Sequence, residues 1–139
     1  MKRRTYLRSI LLVLVLPAVL GAQSRVYAKY DPKGEPVGFY NLFKDAGGCG
    51  SSYTFDGIVL ALNSWKHGSD IEYRFVVKVP GGQRQLRFVL GVDDIPVRDV
   101  RSLIRHGRAV KVRACRTGRI WTVEEITRRS FAVDHGDKQ

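Results

Sequence analysis

Apolar and polar positions alternate most regularly over "IEYRFVVKV" and "QLRFVLGV". In the first, Ile71, Tyr73, Phe75, Val77 and Val79 share one side, and Glu72, Arg74 and Lys78 share the other with Val76. In the second, Leu86, Phe88, Leu90 and Val92 oppose Gln85, Arg87 and Val89. A period of two marks a half-buried strand. Pro80-Gly81-Gly82 supplies a turn between them, so the pair predicts a hairpin with a defined inside. Upstream, "YTFDGIVLAL" is rich in β-branched and aromatic residues and predicts a strand, with Gly57 where a strongly bent strand needs a glycine. "NSWKHGSD" predicts the loop after it. Downstream the period lengthens. Asp93-Asp94 precede Pro96, and Val97, Val100, Leu103 and Ile104 fall on one face; Arg105 and His106 fill a last turn, and Gly107 follows, which predicts a helix. Val110, Val112 and Ala114 then alternate with Lys111, Arg113 and Cys115 in a fourth strand, and Trp121 and Val123 carry a fifth that ends near Ile126.

The flanks read differently. Segment 23–52 holds Asp31-Pro32, Gly34, Pro36, Gly38 and the cluster around Cys49, and predicts an irregular N-terminal arm. Within it "VGFYNLF" concentrates Phe39, Tyr40 and Phe43, either a lid packed on the strands or an exposed strip that docks a partner. Segment 129–139 is polar and predicts a frayed tail. At the other end, the cationic MKRRTYLRS precedes an apolar run from Ile10 to Leu20 and then Gly21-Ala22. That run is shorter than the roughly 20 residues of a spanning helix, so 1–22 predicts a signal peptide cleaved after Ala22, with an uncleaved anchor as the alternative. Arg3-Arg4 also fits the twin-arginine export pattern beside the general secretory one. Both routes predict a periplasmic or secreted bacterial protein with no stable membrane span after cleavage.

Charge and cysteines narrow the chemistry. The formal charge is +11, and 1–22 contributes Lys2, Arg3, Arg4 and Arg8 without an acid, so cleavage leaves +7. Such a balance suits nucleic acid, acidic glycans or anionic headgroups, or serves solubility alone. About 117 residues would remain, enough for one domain. With two cysteines, Cys49 and Cys115, an exported domain of this size most simply carries one disulfide. His67, His106 and His135 with these cysteines give no metal-ligand spacing, so neither a metal nor a cofactor is predicted.

Three strands, a helix and two more strands, with a glycine-bent first strand and "GRAVKVRACRTGRIWTVEEI" as the closing hairpin, resemble an exported bacterial OB-fold domain over 53–128. The resemblance implies a mainly β, five-stranded Greek-key barrel with its helix between strands three and four. In that fold the first strand pairs antiparallel with the fourth, which would bring Cys49 beside Cys115 and close a loop of about 65 residues. It also implies a binding face on strands two and three, between the loops joining one to two and four to five. Transferred to this chain, that groove takes Trp65, Lys66 and His67 from the first loop, Arg74, Lys78 and Arg87 from the sheet, and Arg116 and Arg119 from the last loop. Tyr73, Phe75 and Phe88 fall on the inner side, leaving Trp65 as the obvious stacking platform. Arg98, Arg101 and Arg105 share the polar face of the helix, a solvated surface or a second basic one.

Catalysis finds little support. Asp93-Asp94 suits a helix start and Glu124-Glu125 a strand end better than a general acid and base, and no glycine-rich phosphate loop or nucleophile motif is present. The sequence therefore predicts a non-catalytic binding or interaction module, its partner an unidentified protein or a polyanion. The enzymatic alternative is a metal-dependent nuclease using a carboxylate such as Asp56 or Asp70.

Overall fold

The structure is a computed structural model that describes residues 25–43 and 49–129. Segment 1–22, expected to be a signal peptide, and the segment from residue 130 lie outside them, and no helix among the described residues is long and apolar enough to cross a membrane.

Seven strands and one helix follow in order: β1 (Tyr27–Tyr30), β2 (Pro36–Tyr40), β3 (Ser52–His67), β4 (Asp70–Val79), β5 (Gly82–Gly91), α1 (Val97–Leu103), β6 (Ala109–Thr117) and β7 (Ile120–Arg128). β4 and β5 form the hairpin that the alternation predicts, in continuous register from Asp70↔Gly91 to Val79↔Gly82. Its inner residues Tyr73, Phe75, Val77, Leu86, Phe88 and Leu90 are all buried, with Tyr73 stacked on Phe88 at 5.1 Å.

β3 changes partner along its length. Residues 52–58 pair with β6, from Ser52↔Cys115 to Ile58↔Ala109, and from Ile58 onward the strand pairs with β4. Gly57 sits at the changeover, where a Cβ would lie 2.9 Å from the Lys78 carbonyl oxygen, so the close crossing of β3 over β4 needs a glycine. β6 pairs antiparallel with β7, and β7 lies parallel to β5 through Leu86↔Trp121 and Arg87↔Thr122. These pairings close a ring of five strands, β3-β4-β5-β7-β6. The core fills the ring, with Val59, Val110, Val112, Ala114, Val123 and Ile126 facing the β4–β5 hairpin.

Four expectations need correction. The sheet has seven strands, because the arm read as irregular carries β1 and β2. β2 docks on β7 through Gly38↔Thr127 and Phe39↔Ile126, and Phe39 and Leu42 are buried in the core. Two further contacts tie the arm down. The Tyr30 hydroxyl donates to the buried Asp99 of α1 at 2.7 Å, which pushes the tyrosine pKa up to about 12, and Arg128 pairs with Asp31 at 3.3 Å. The segment Asn63 to His67, expected in a loop, continues β3, because each residue keeps a cross-strand partner as far as His67↔Asp70. The helix is shorter than predicted. Ile104 leaves helical geometry at φ −102° and ψ 84°, Arg105 and His106 lie beyond it, and Val97 is 40% exposed while Val100, Leu103 and Ile104 are buried. Finally, Arg129, expected in the frayed tail, is tied to the sheet, since its N–H reaches the Ala109 carbonyl and its guanidinium pairs with Asp56 at 3.2 Å.

The disulfide joins Cys49 to Cys115, as expected. It lies beside the first rung of the β3–β6 ladder, Ser52↔Cys115. Such a bond fits an extracellular or periplasmic compartment.

Candidate functional site

The outer face of the β3–β4–β5 surface follows from the register. Opposed residues share a face, so Ala61↔Val76, Asn63↔Arg74, Trp65↔Glu72 and His67↔Asp70 all point outward, and Arg74 stands opposite Arg87 on β5. Two like charges directly opposed on a sheet repel unless an acid separates them. Glu72 does so. Its carboxylate accepts from Arg74 Nε at 2.7 Å and Arg87 Nε at 3.2 Å and lies 3.4 Å from His67 Nε2. The hydrogen bond from Arg74, aided by that from Arg87, holds the Glu72 carboxyl below the usual glutamate range despite partial desolvation. A carboxyl depressed in the folded state stabilises the protein above its unfolded pKa, and this is lost as pH falls through the folded value. The melting temperature is therefore expected to fall on acidification below about pH 4.5, with a shallower fall in Glu72→Gln. Parallel melting curves for the two proteins between pH 5 and pH 2 would show the carboxylate to be idle.

Trp65 is 46% exposed and carries the Arg74 guanidinium over its ring at 5.5 Å. The two line a recess of about 170 Å³ with Asn63, Gln85 and Ile120. Gln85 also lines the neighbouring cleft, of about 520 Å³, whose other walls are Gln83, Arg84, Arg116, Arg119 and Trp121. This cleft lies at one mouth of the ring. Ala114↔Val123 and Arg116↔Trp121 are successive inward pairs of the β6–β7 hairpin, and Trp121 also stands beside the inward Leu86. Tyr53 and Phe55, opposite the buried Ala114 and Val112, close on the Trp121 ring at centroid distances of 5.2 and 5.7 Å. Arg84 and Arg116 sit over the same ring at 5.7 and 5.6 Å. The turn after Arg116 is tight, with Gly118 at φ 68°, and the Gly118 carbonyl accepts from Arg116 Nε at 3.2 Å.

The charges divide into two populations. Arg74, Arg87, Arg98, Arg113, Arg128 and Arg129 each pair with a carboxylate. Among the described residues, Arg25, Arg84, Arg101, Arg105, Arg108, Arg116 and Arg119 have no carboxylate within ion-pairing distance, and three of these seven, Arg84, Arg116 and Arg119, share one cleft. The eight groove residues expected from sequence are thus only partly brought together. Trp65 with Arg74 and Arg116 with Arg119 fall into two adjoining recesses, and His67 and Arg87 join Arg74 at Glu72. Lys66 stands opposite the buried Ile71, on the inner parity of β3 and off the outer face. Lys78 lines a separate recess with Asp56, Ile58 and Arg129. Arg84 and Trp121 were not among the expected site residues. The readable signal for Arg84 was its shared parity with Leu86 one step from a turn, which sends a long basic side chain over the ring mouth.

Asp56, a carboxylate of the nuclease alternative, is paired with Arg129, and no group of three or more His, Cys, Asp or Glu side chains among the described residues is placed to hold a metal ion. No protein-family model, curated protein or solved structure matches the chain.

Proposed function

We propose that this chain is an exported, disulfide-stapled binding module of OB-fold type that holds an anionic partner without catalysis. Support for the fold assignment comes from the antiparallel pairing of the first ring strand, β3, with the fourth, β6, and from α1 standing between the third and fourth. The observation that carries the function is the division of charge. Six of the described arginines are neutralised by neighbouring acids, and of the seven that are not, Arg84, Arg116 and Arg119 gather in one cleft without an acid beside them. A protein partner docked on the aromatic arm is the weaker reading, because Phe39 is buried in the core and is not available to such a partner.

The test is fluorescence anisotropy of the oxidised chain against single-stranded DNA, duplex DNA and a sulfated glycan at about 50 and 200 mM salt. Three arginine contacts predict a slope of log affinity against log salt of about −2 to −3, and Arg116→Ala is expected to reduce it by about one. Glu72→Gln releases Arg74 and Arg87 from their acid and should strengthen binding of a long polyanion that extends along the outer face. Absence of binding at the lower salt would leave the arginines as a solvated surface and return the search to protein partners.

A further inference from the structure

We propose that the cleft between the start of β5 and the β6–β7 turn is a site for a phosphate or sulfate ester carried on a small polyol or sugar unit. It selects the oxyanion by guanidinium pairing and makes no use of stacking. The proposal rests on the reading of the chain as an anion binder and specifies which chemical group the cleft takes.

Three features of the cleft point there. First, the guanidiniums are held in place before any ligand arrives. Arg84 and Arg116 each lie over Trp121, Arg84 Nη1 donates to the Gln83 carbonyl at 3.2 Å, and Arg116 Nε donates to the Gly118 carbonyl at 3.2 Å. Each anchored arginine spends one of its five N–H donors on the backbone, leaving the others for a ligand, and its planar fork matches the oxygens of a phosphate or sulfate. Side chains already ordered lose less entropy on binding.

Second, the aromatic ring in the cleft is occupied. Arg84, Arg116, Tyr53 and Phe55 all contact Trp121, and no other aromatic lines the walls. Binding of single strands depends on bases stacking against aromatic faces, and here a base would have to displace an arginine. Trp65, in the adjoining recess, already carries Arg74 over its ring.

Third, size and lining suit more than a bare ion. The cleft holds about 520 Å³, within the range of small-molecule sites, and the Gln83 and Gln85 side-chain amides supply donors and acceptors that match hydroxyl groups.

The experiment uses the oxidised chain with Trp65→Phe, which leaves Trp121 as the sole tryptophan reporter. Its emission is titrated with glucose 6-phosphate, glucose 6-sulfate, glucose and thymidine, and with phosphatidylcholine vesicles doped with phosphatidic acid. A saturable change with either ester, absent with glucose and thymidine and weakened about ten-fold or more by Arg116→Ala or Arg119→Ala, is the expected result. A response to the doped vesicles that shows the same arginine dependence also supports the site and identifies a membrane-borne source for the ester. A response to thymidine equal to that of the esters overturns the proposal, as does the lack of any arginine-dependent response to an ester in either form. Long polyanions that bind with the expected salt slope while the esters do not would remove this inference and leave the proposed function standing. Esters that bind while long polyanions do not would retain the site and remove the broader polyanion reading.

Discussion

Reduction of the Cys49–Cys115 bond is expected to lower the melting temperature by roughly 15–30 °C. The two cysteines are 66 residues apart in sequence, and on chain-entropy grounds closing a loop of that size removes about 4 kcal/mol of freedom from the unfolded state. Each kcal/mol shifts the melting point of a domain this small by about 4–8 °C. Scanning calorimetry with and without reductant measures the effect. The Cys49→Ala/Cys115→Ala double variant separates loss of the bond from burial of a free thiol at Cys115, which is 4% exposed. An unchanged melting point would mean that the β3–β6 ladder alone holds this seam and that the staple contributes nothing to it.

Phe39→Ala is expected to cost about 3–5 kcal/mol, the range for truncating a buried aromatic. Phe39 is fully buried and stands opposite Ile126 in the β2–β7 pairing and Ala28 in the β1–β2 pairing. Tyr27, on the exposed side and stacked on Tyr40 at 5.1 Å, provides the control, and its replacement by alanine should cost about 1 kcal/mol or less. Urea denaturation of the two variants gives the comparison. A cost below about 1 kcal/mol for Phe39→Ala would make the arm a detachable lid, whereas the expected cost makes it part of the core.

The alternation in β4 and β5 was sufficient to predict both strands, their inner faces and the turn between them, because a sheet buried on one side imposes a period of two on its sequence. The arm hid its strands for a physical reason. β1 buries almost nothing and pairs only with β2, while β2 is five residues long, opens on a proline and docks on β7, a neighbour far along the chain. The helix stop at Gly107 was overestimated because Gly107 serves a tertiary contact, its N–H reaching the Val59 carbonyl at 2.8 Å, while the helix itself ends at Leu103. At the candidate site, the basic residues were readable but their neutralisation was not. Glu72 and Arg74 share a face by their spacing alone, yet that Arg87 competes for the same carboxylate depends on hairpin register. Trp121 read as a strand residue because its alternation fits one. Its role as the floor beneath two arginines appears only once the ring closes.

Ring closure has a consequence for how the chain reaches its native state. The β4–β5 hairpin is local and can form early, but the β3–β6 and β5–β7 seams join segments separated by the helix, and contacts of that kind slow folding because loop closure precedes their reward. Until both seams form, β3 and β7 present unpaired backbone to other chains. Cys49 and Cys115 meet beside the Ser52↔Cys115 rung, so the bond, once formed, holds the two strands of the β3–β6 seam close to their native register. In an oxidising compartment the bond therefore acts as a one-way latch on the slow step, and a chain oxidised late spends longer open to aggregation.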